Sequence, residues 1–132
     1  MVRLTANYRQ MSLDLTLHSP TLVDKTCFHC GSRYQEVEEL FNANITHNLG
    51  KMAREAQLYN YLWRPDEIDI TFAKELIDPL TLGLEELKEN PDTYKKLNPK
   101  NGWGSYEGFV EWVEGYLEAC KENPDALINV SR

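Results

Sequence analysis

The chain has 132 residues, of which 42% are apolar and 27% are charged. This length is typical of one domain, and the composition is too apolar for a disordered protein. The net charge of −7 argues against a general nucleic-acid binder, because such proteins use a basic surface to displace counterions. No apolar run reaches the roughly 18 residues of a membrane helix.

Cysteine content and the first residues predict a cytoplasmic protein. Three cysteines do not make a disulfide framework, so we expect a reducing compartment. The first residues lack the charged, apolar and small-residue order of a signal peptide. Residues 1–10 show no clear period and are interpreted as an extension before a single domain at 11–132.

The first regular pattern is an alternation that begins at Met11. Apolar residues occupy every second position as far as Leu17, which predicts a half-buried strand that ends at Ser19-Pro20. Residues 21–34 are predicted to be a loop or hairpin tip, and residues 35–46 a second strand. Glu36–Phe41 are also compatible with a helical turn, so the second strand has an open alternative.

Apolar spacing becomes helical after Asn48 and predicts helices over about 48–58 and 71–89. Pro79 either kinks the second helix or begins a new one with Asp78 as its N-cap. A short turn of helix over 92–97 and a loop over 98–104 follow.

The most periodic helix is expected after Ser105, a plausible N-cap, and ends at Asn123-Pro124. Residues 126–130 then form a last strand that pairs with the first. These elements predict an α+β fold in which a small antiparallel sheet, made of the N-terminal strands and the C-terminal strand, packs on three or four helices.

Cys27-x-x-Cys30-Gly31 has the form of a zinc knuckle. Two thiolates at this spacing can hold one Zn²⁺, and the glycine permits the tight turn. A closed site needs four ligands, and His47 is the most reachable further donor, whereas Cys120 lies on the apolar stripe of the last helix. A redox pair and ordinary reduced cysteines remain open alternatives.

Polar residues cluster where the second strand gives way to a helix. Asn44, Thr46, His47 and Asn48 are compact donors and acceptors that suit a small polar ligand, and helix N-terminal amides would favour a phosphate. The alternative is that Thr46 or Asn48 caps the helix and the others satisfy local backbone groups.

The loop Asn101-Gly102-Trp103-Gly104 offers a second candidate for ligand binding. An indole between two glycines can stack on a base or a sugar. We favour the alternative in which Trp103 folds back into the core and the glycines supply unusual dihedral angles.

Two segments, Asn44–Trp63 (NITHNLGKMAREAQLYNYLW) and Leu97–Tyr116 (LNPKNGWGSYEGFVEWVEGY), resemble a family of small proteins encoded by bacteriophages and prophages. The similarity runs from Met11 to Arg132. It implies a phage or bacterial cytoplasmic origin and no particular activity, and the cysteine knuckle looks like a feature of one branch. The residues that carry the resemblance are Asn44, Thr46, His47, Asn48, Asn101, Gly102 and Trp103.

Three functional hypotheses follow. The first is a protein that binds a small ligand and sequesters a nucleotide-like molecule through Asn44–Asn48 and Trp103. The second is an acidic interaction module or inhibitor of a host or phage protein, because the acidic residues are concentrated after residue 34. The third, an enzyme with His47 as general base, is the weakest, because the chain has no catalytic motif.

Overall fold

The structure is a computed structural model that describes residues 12–132. Three strands form an antiparallel sheet in the order β2-β1-β3, and the predicted α+β class is confirmed. The strands are β1 (Ser12–Thr26), β2 (Arg33–Thr46) and β3 (Leu127–Ser131). The extension interpreted at residues 1–10 lies outside the described residues.

The helices lie between β2 and β3 in the chain. They are α1 (Gly50–Glu55), α2 (Tyr59–Trp63), α3 (Ile77–Glu89), α4 (Pro91–Lys95) and α5 (Tyr106–Glu122), with 3₁₀ turns at His47–Leu49, Pro65–Ile68 and Ala73–Leu76. Within residues 12–132, no helix has the length and apolarity to cross a membrane.

The core fills the space between one face of the sheet and the helices. Leu13, Leu15 and Leu17 on β1 are at most 1% exposed, as their alternation predicts. The longest helix, α5, begins at the predicted cap, where Ser105 Oγ accepts a hydrogen bond from the Gly108 N–H at 3.1 Å. β3 pairs antiparallel with the Asp14–His18 part of β1, as expected for the last strand.

The prediction that Ser19-Pro20 ends the first strand is wrong. The β1–β2 register shifts between His18 and Leu22, and the strand then continues to Thr26. Ser19 stabilises this bulge, because its buried hydroxyl donates to the Thr21 carbonyl and accepts from the Glu38 N–H, both at 2.8 Å. Proline is tolerated at such a bulge because it has no N–H to pair.

The helices also depart from their predicted bounds. The helix expected over 48–58 is a 3₁₀ turn followed by the short α1. The one expected over 71–89 is divided between Leu76 and Ile77, so that Pro79 falls in the first turn of α3, where its missing N–H costs no intrahelical bond. Leu76, rather than Asp78, occupies the N-cap position.

Candidate functional site

The polar segment at the end of β2 is divided among different surroundings. Asn44 pairs with Asp14 on the solvent-facing side of the sheet and lines a cavity of about 430 Å³. Thr46 Oγ1 accepts hydrogen bonds from the backbone N–H of Asn48 at 3.2 Å and from its side-chain amide at 2.9 Å. Thr46 and Asn48 therefore act as a local cap, which was the alternative to a ligand-binding role.

The Trp103 loop lies against this end of β2. Gly104 has a φ of +101°, and a Cβ built on it would come within 2.9 Å of Leu49 Cγ and 3.0 Å of Thr46 Cγ2. Asn101 Oδ1 closes the turn by accepting from the Trp103 N–H at 3.0 Å. Trp103 itself is 63% exposed, so the expectation that it enters the core is wrong.

His47 belongs to a different cavity from Trp103. Its cavity of about 320 Å³ lies between the start of α1 and α2, and its lining includes neither Asn101 nor Trp103. The lining residues are His47, Gly50, Arg54, Tyr59, Trp63, Arg64 and Arg132. Three of the four arginines in residues 12–132 therefore meet in one cavity of an otherwise acidic chain.

Aromatic rings form one wall of this cavity. The Tyr59 and Trp63 rings stack with centroids 5.3 Å apart and planes 11° from parallel. The Arg54 guanidinium lies 4.1 Å from the centroid of the Tyr59 ring, which is a cation–π contact. The cavity thus combines flat apolar faces with fixed positive charge.

The imidazole of His47 is held in one tautomer. Its Nδ1 accepts a hydrogen bond from Trp63 Nε1 at 2.7 Å, so Nδ1 carries no proton. Burial lowers the pKa of His47, although the nearby charge of Asp14 opposes the shift. The lowered pKa favours the neutral ring near pH 7, and the contact with Trp63 leaves its proton on Nε2, where it can donate a hydrogen bond.

The arginines differ in what they already bind. Arg132 donates to the Trp63 carbonyl and to Asp66 Oδ1, each at 2.9 Å, and Arg64 donates to Glu67 Oε2 at 2.6 Å. The hydrogen bond to Asp66 raises the pKa of Arg132, and the contact with Arg132 lowers the pKa of Asp66. Arg54 makes no ion pair with any described residue.

The three residues predicted as metal ligands do not come together in one chain. Cys27 and Cys30 lie in the turn between β1 and β2, whereas His47 follows the far end of β2. A strand of that length separates them by roughly 40 Å, at about 3.3 Å per residue. His47 is thus not the third ligand of Cys27 and Cys30, and no cluster of three or more His, Cys, Asp or Glu side chains suited to a metal occurs in residues 12–132.

The other cysteine is in the core, as its position on the apolar stripe predicts. Burial raises the pKa of the Cys120 thiol to about 12. Cys30 is exposed, and its hydrogen bond with the Ser32 hydroxyl, at 3.1 Å, lowers the pKa of its thiol.

Sequence reasoning missed the residues that complete the His47 cavity, above all Arg54, Arg64 and Arg132. The segment from Tyr59 to Pro65 is rich in aromatic residues, but no spacing in the sequence relates it to Arg132. The scarcity of arginine after residue 34 is the one available signal.

No protein-family model, curated protein or solved structure matches the chain. The resemblance to phage-encoded proteins therefore stays a prediction.

Proposed function

We propose that the protein binds a small phosphorylated ligand of the nucleotide type in the His47 cavity. The observation that carries this proposal is the convergence of Arg54, Arg64 and Arg132 on a cavity that also presents the Nε2–H of His47. Guanidinium groups match the geometry of phosphate oxygens and form strong charge-assisted hydrogen bonds with them.

Arg54 is the residue best placed to take the phosphate. The carboxylates of Glu67 and Asp66 already engage Arg64 and Arg132, whereas Arg54 stacks on the Tyr59 ring. That stacking holds the guanidinium in place while leaving its N–H groups for a ligand. Arg54 therefore loses less side-chain entropy on binding a ligand than an unrestrained surface arginine would lose.

A neighbouring cavity offers room for the rest of such a ligand. This second cavity, of about 730 Å³, shares Arg54 and Tyr59 with the first. Its lining adds the side-chain amides of Gln57 and Asn60 and the ring of Tyr61. Aromatic faces and amide groups are what a base or sugar requires for stacking and for hydrogen bonding to its edge.

The overall negative charge of the chain is compatible with this ligand class. A long polyanion would extend beyond the cavity over a chain of net charge −7, whereas a mononucleotide needs only the local positive group. The cavity therefore suits a small phosphorylated molecule, while the net negative charge of the chain disfavours general nucleic-acid binding.

The test is calorimetric titration of the metal-free protein with AMP, adenosine and inorganic phosphate. We expect AMP to bind most tightly, because it alone offers both the phosphate and the ring. Affinity for AMP should fall with added salt. No heat with AMP or phosphate at millimolar concentration, or equal affinity for AMP and adenosine, would reject the proposal.

A matched pair of variants locates the site. Arg54→Gln should weaken AMP binding about tenfold or more, because a hydrogen bond to a charged group contributes about 1.5–3 kcal/mol. Arg33→Gln removes the same charge from the exposed β1–β2 hairpin and should leave the affinity unchanged. An equal loss in both variants would indicate a general charge effect and would contradict this site.

A further inference from the structure

The outer half of the β1–β2 hairpin is an arm that projects from the domain. β3 pairs only as far as His18, so beyond the Ser19 bulge the sheet has two strands. From residue 20 to residue 40 no side chain is buried, and apolar residues including Leu22, Tyr34 and Val37 are exposed. We call residues 20–40 the arm.

The tip of the arm holds the cysteine pair in a defined turn. The Gly31 N–H donates to the Cys27 carbonyl at 2.7 Å, and the Cys27 N–H donates to the Ser32 carbonyl at 2.8 Å. Gly31 has a φ of +74°, the conformation that glycine adopts most easily. In this turn the Cys30 thiol donates a hydrogen bond to the Ser32 hydroxyl at 3.1 Å, and both cysteines belong to the short segment between β1 and β2.

Two thiolates supply half of a tetrahedral zinc site. Within residues 12–132 the two cysteines belong to no group of three or more metal-ligating side chains, and residues 1–11 contain no Cys, His, Asp or Glu. His29, between the two cysteines, stacks on the Phe28 ring with centroids 4.7 Å apart. A closed zinc site at the tip would therefore need two further ligands from another molecule.

We propose that two copies of this chain join at the tips of their arms, where Cys27 and Cys30 of each copy together hold one zinc ion. A tetrahedral four-sulfur site is compatible with a two-fold axis that passes through the metal and exchanges the two cysteine pairs. The second copy thus supplies the missing ligands with the same spacing as the first.

Charge at the tip supports this occupant. A zinc ion with four thiolates carries a net charge of about −2. Residues 25–35 include Lys25 and Arg33 and no acidic residue, in a chain that has 21 acidic residues. Lys25 and Arg33 lie two and three residues from the cysteines along β1 and β2, so two tips in contact would bring four basic residues near the negatively charged centre.

The apolar surface at the tip also favours contact with a second copy of the chain. Phe28 is 92% exposed, and its ring contacts the His29 ring but does not enter the core of its own chain. Contact between two tips would remove both Phe28 rings from solvent beside the metal. The joined area is small, so the metal rather than apolar burial would hold the copies together.

The test measures mass and metal content of the untagged full chain. With zinc, sedimentation equilibrium should give twice the chain mass with about one zinc ion per two chains, and excess EDTA should return the monomer. The double variant Cys27→Ser/Cys30→Ser should stay monomeric and bind no zinc. Unchanged circular dichroism would show that the exposed tip is not needed for folding.

His29→Ala is the control for a site within one chain, and we expect it to keep both zinc and the dimer. Loss of zinc in this variant would make His29 a ligand and overturn the four-cysteine site. Three other results would also overturn the proposal. They are a monomer that binds one zinc ion per chain, a protein that binds no zinc, and a dimer that persists in EDTA and in the double variant.

Discussion

Trp63 Nε1 donates a hydrogen bond to His47 Nδ1 at 2.7 Å. An indole nitrogen is only a donor, so this contact requires an unprotonated Nδ1 and places the imidazole proton on Nε2. A proton added at low pH would have to go to Nδ1 and would break the contact. Protonation of His47 would therefore release Trp63, which lines the same cavity, from its hydrogen bond.

This pair predicts that stability falls as the pH is lowered. Because the pKa of His47 in the folded protein lies below 6.5, the unfolded chain takes up the proton first as the pH falls. The contribution is fully present above pH 6.5 and is lost as the pH falls through the folded pKa. Urea unfolding at about pH 7.5 and about pH 5.5 should show a larger loss in the parent protein than in His47→Gln. Equal losses would contradict the prediction, since all other titrating groups are the same in both proteins.

Two buried tyrosines should respond in opposite ways to loss of the hydroxyl. Tyr106 donates to the Leu87 carbonyl at 2.6 Å, so Tyr106→Phe should lower the free energy of unfolding by about 1 kcal/mol. The Tyr116 hydroxyl is buried without a hydrogen-bond partner among the described residues. Tyr116→Phe should therefore be neutral or stabilising by up to about 1 kcal/mol. Denaturant unfolding of both variants checks this, and a larger loss for Tyr116→Phe would point to a partner for its hydroxyl.

Two helical glycines should also differ in their response to alanine. A Cβ at Gly83 in α3 would overlap the fully buried side chain of Leu58, so Gly83→Ala should cost about 1–3 kcal/mol. Gly115 in α5 has open space at the same position. Gly115→Ala should stabilise the protein by about 0.5–1 kcal/mol, because alanine favours the helix. Thermal unfolding of the pair provides the measurement, and equal effects would show that Leu58 moves aside.

The three cysteines should react with a thiol reagent at different rates. Cys120 is buried and its pKa is raised to about 12, whereas Cys30 is exposed and Cys27 is half-buried. In EDTA and without denaturant, a disulfide reagent should modify Cys27 and Cys30 rapidly and Cys120 only on unfolding. Cys120→Ala should keep the rapid phase and Cys30→Ser should halve it. A rapid phase that includes Cys120 would show that α5 opens readily.

Local patterns accounted for much of the fold. The alternation at Leu13, Leu15 and Leu17 predicted the central strand and its buried face, because side chains of a strand alternate between two sides. Ser105 marked the start of α5 since its hydroxyl caps the helix. Ser19-Pro20 wrongly predicted the end of the first strand, because a bulge accommodates the proline and the strand resumes beyond it.

The candidate site was predictable only in part. His47 was singled out from the sequence, but its role was not, because its partner Trp63 lies 16 residues away on another helix. The metal prediction took His47 as the most reachable further ligand for Cys27 and Cys30. The extended strand β2 lies between the cysteines and His47, which no local pattern in the sequence revealed.

The sequence alone determined an α+β domain with Leu13, Leu15 and Leu17 in its core, through its length, its balance of apolar and charged residues and its periodic segments. It also determined that Cys27 and Cys30 share a turn, because the spacing of a turn is local. Only the tertiary structure decided that Arg54, Arg64 and Arg132 meet at His47. Arg132 reaches that cavity because β3 pairs with β1, and such long-range pairing depends on packing of the whole chain rather than on any local pattern.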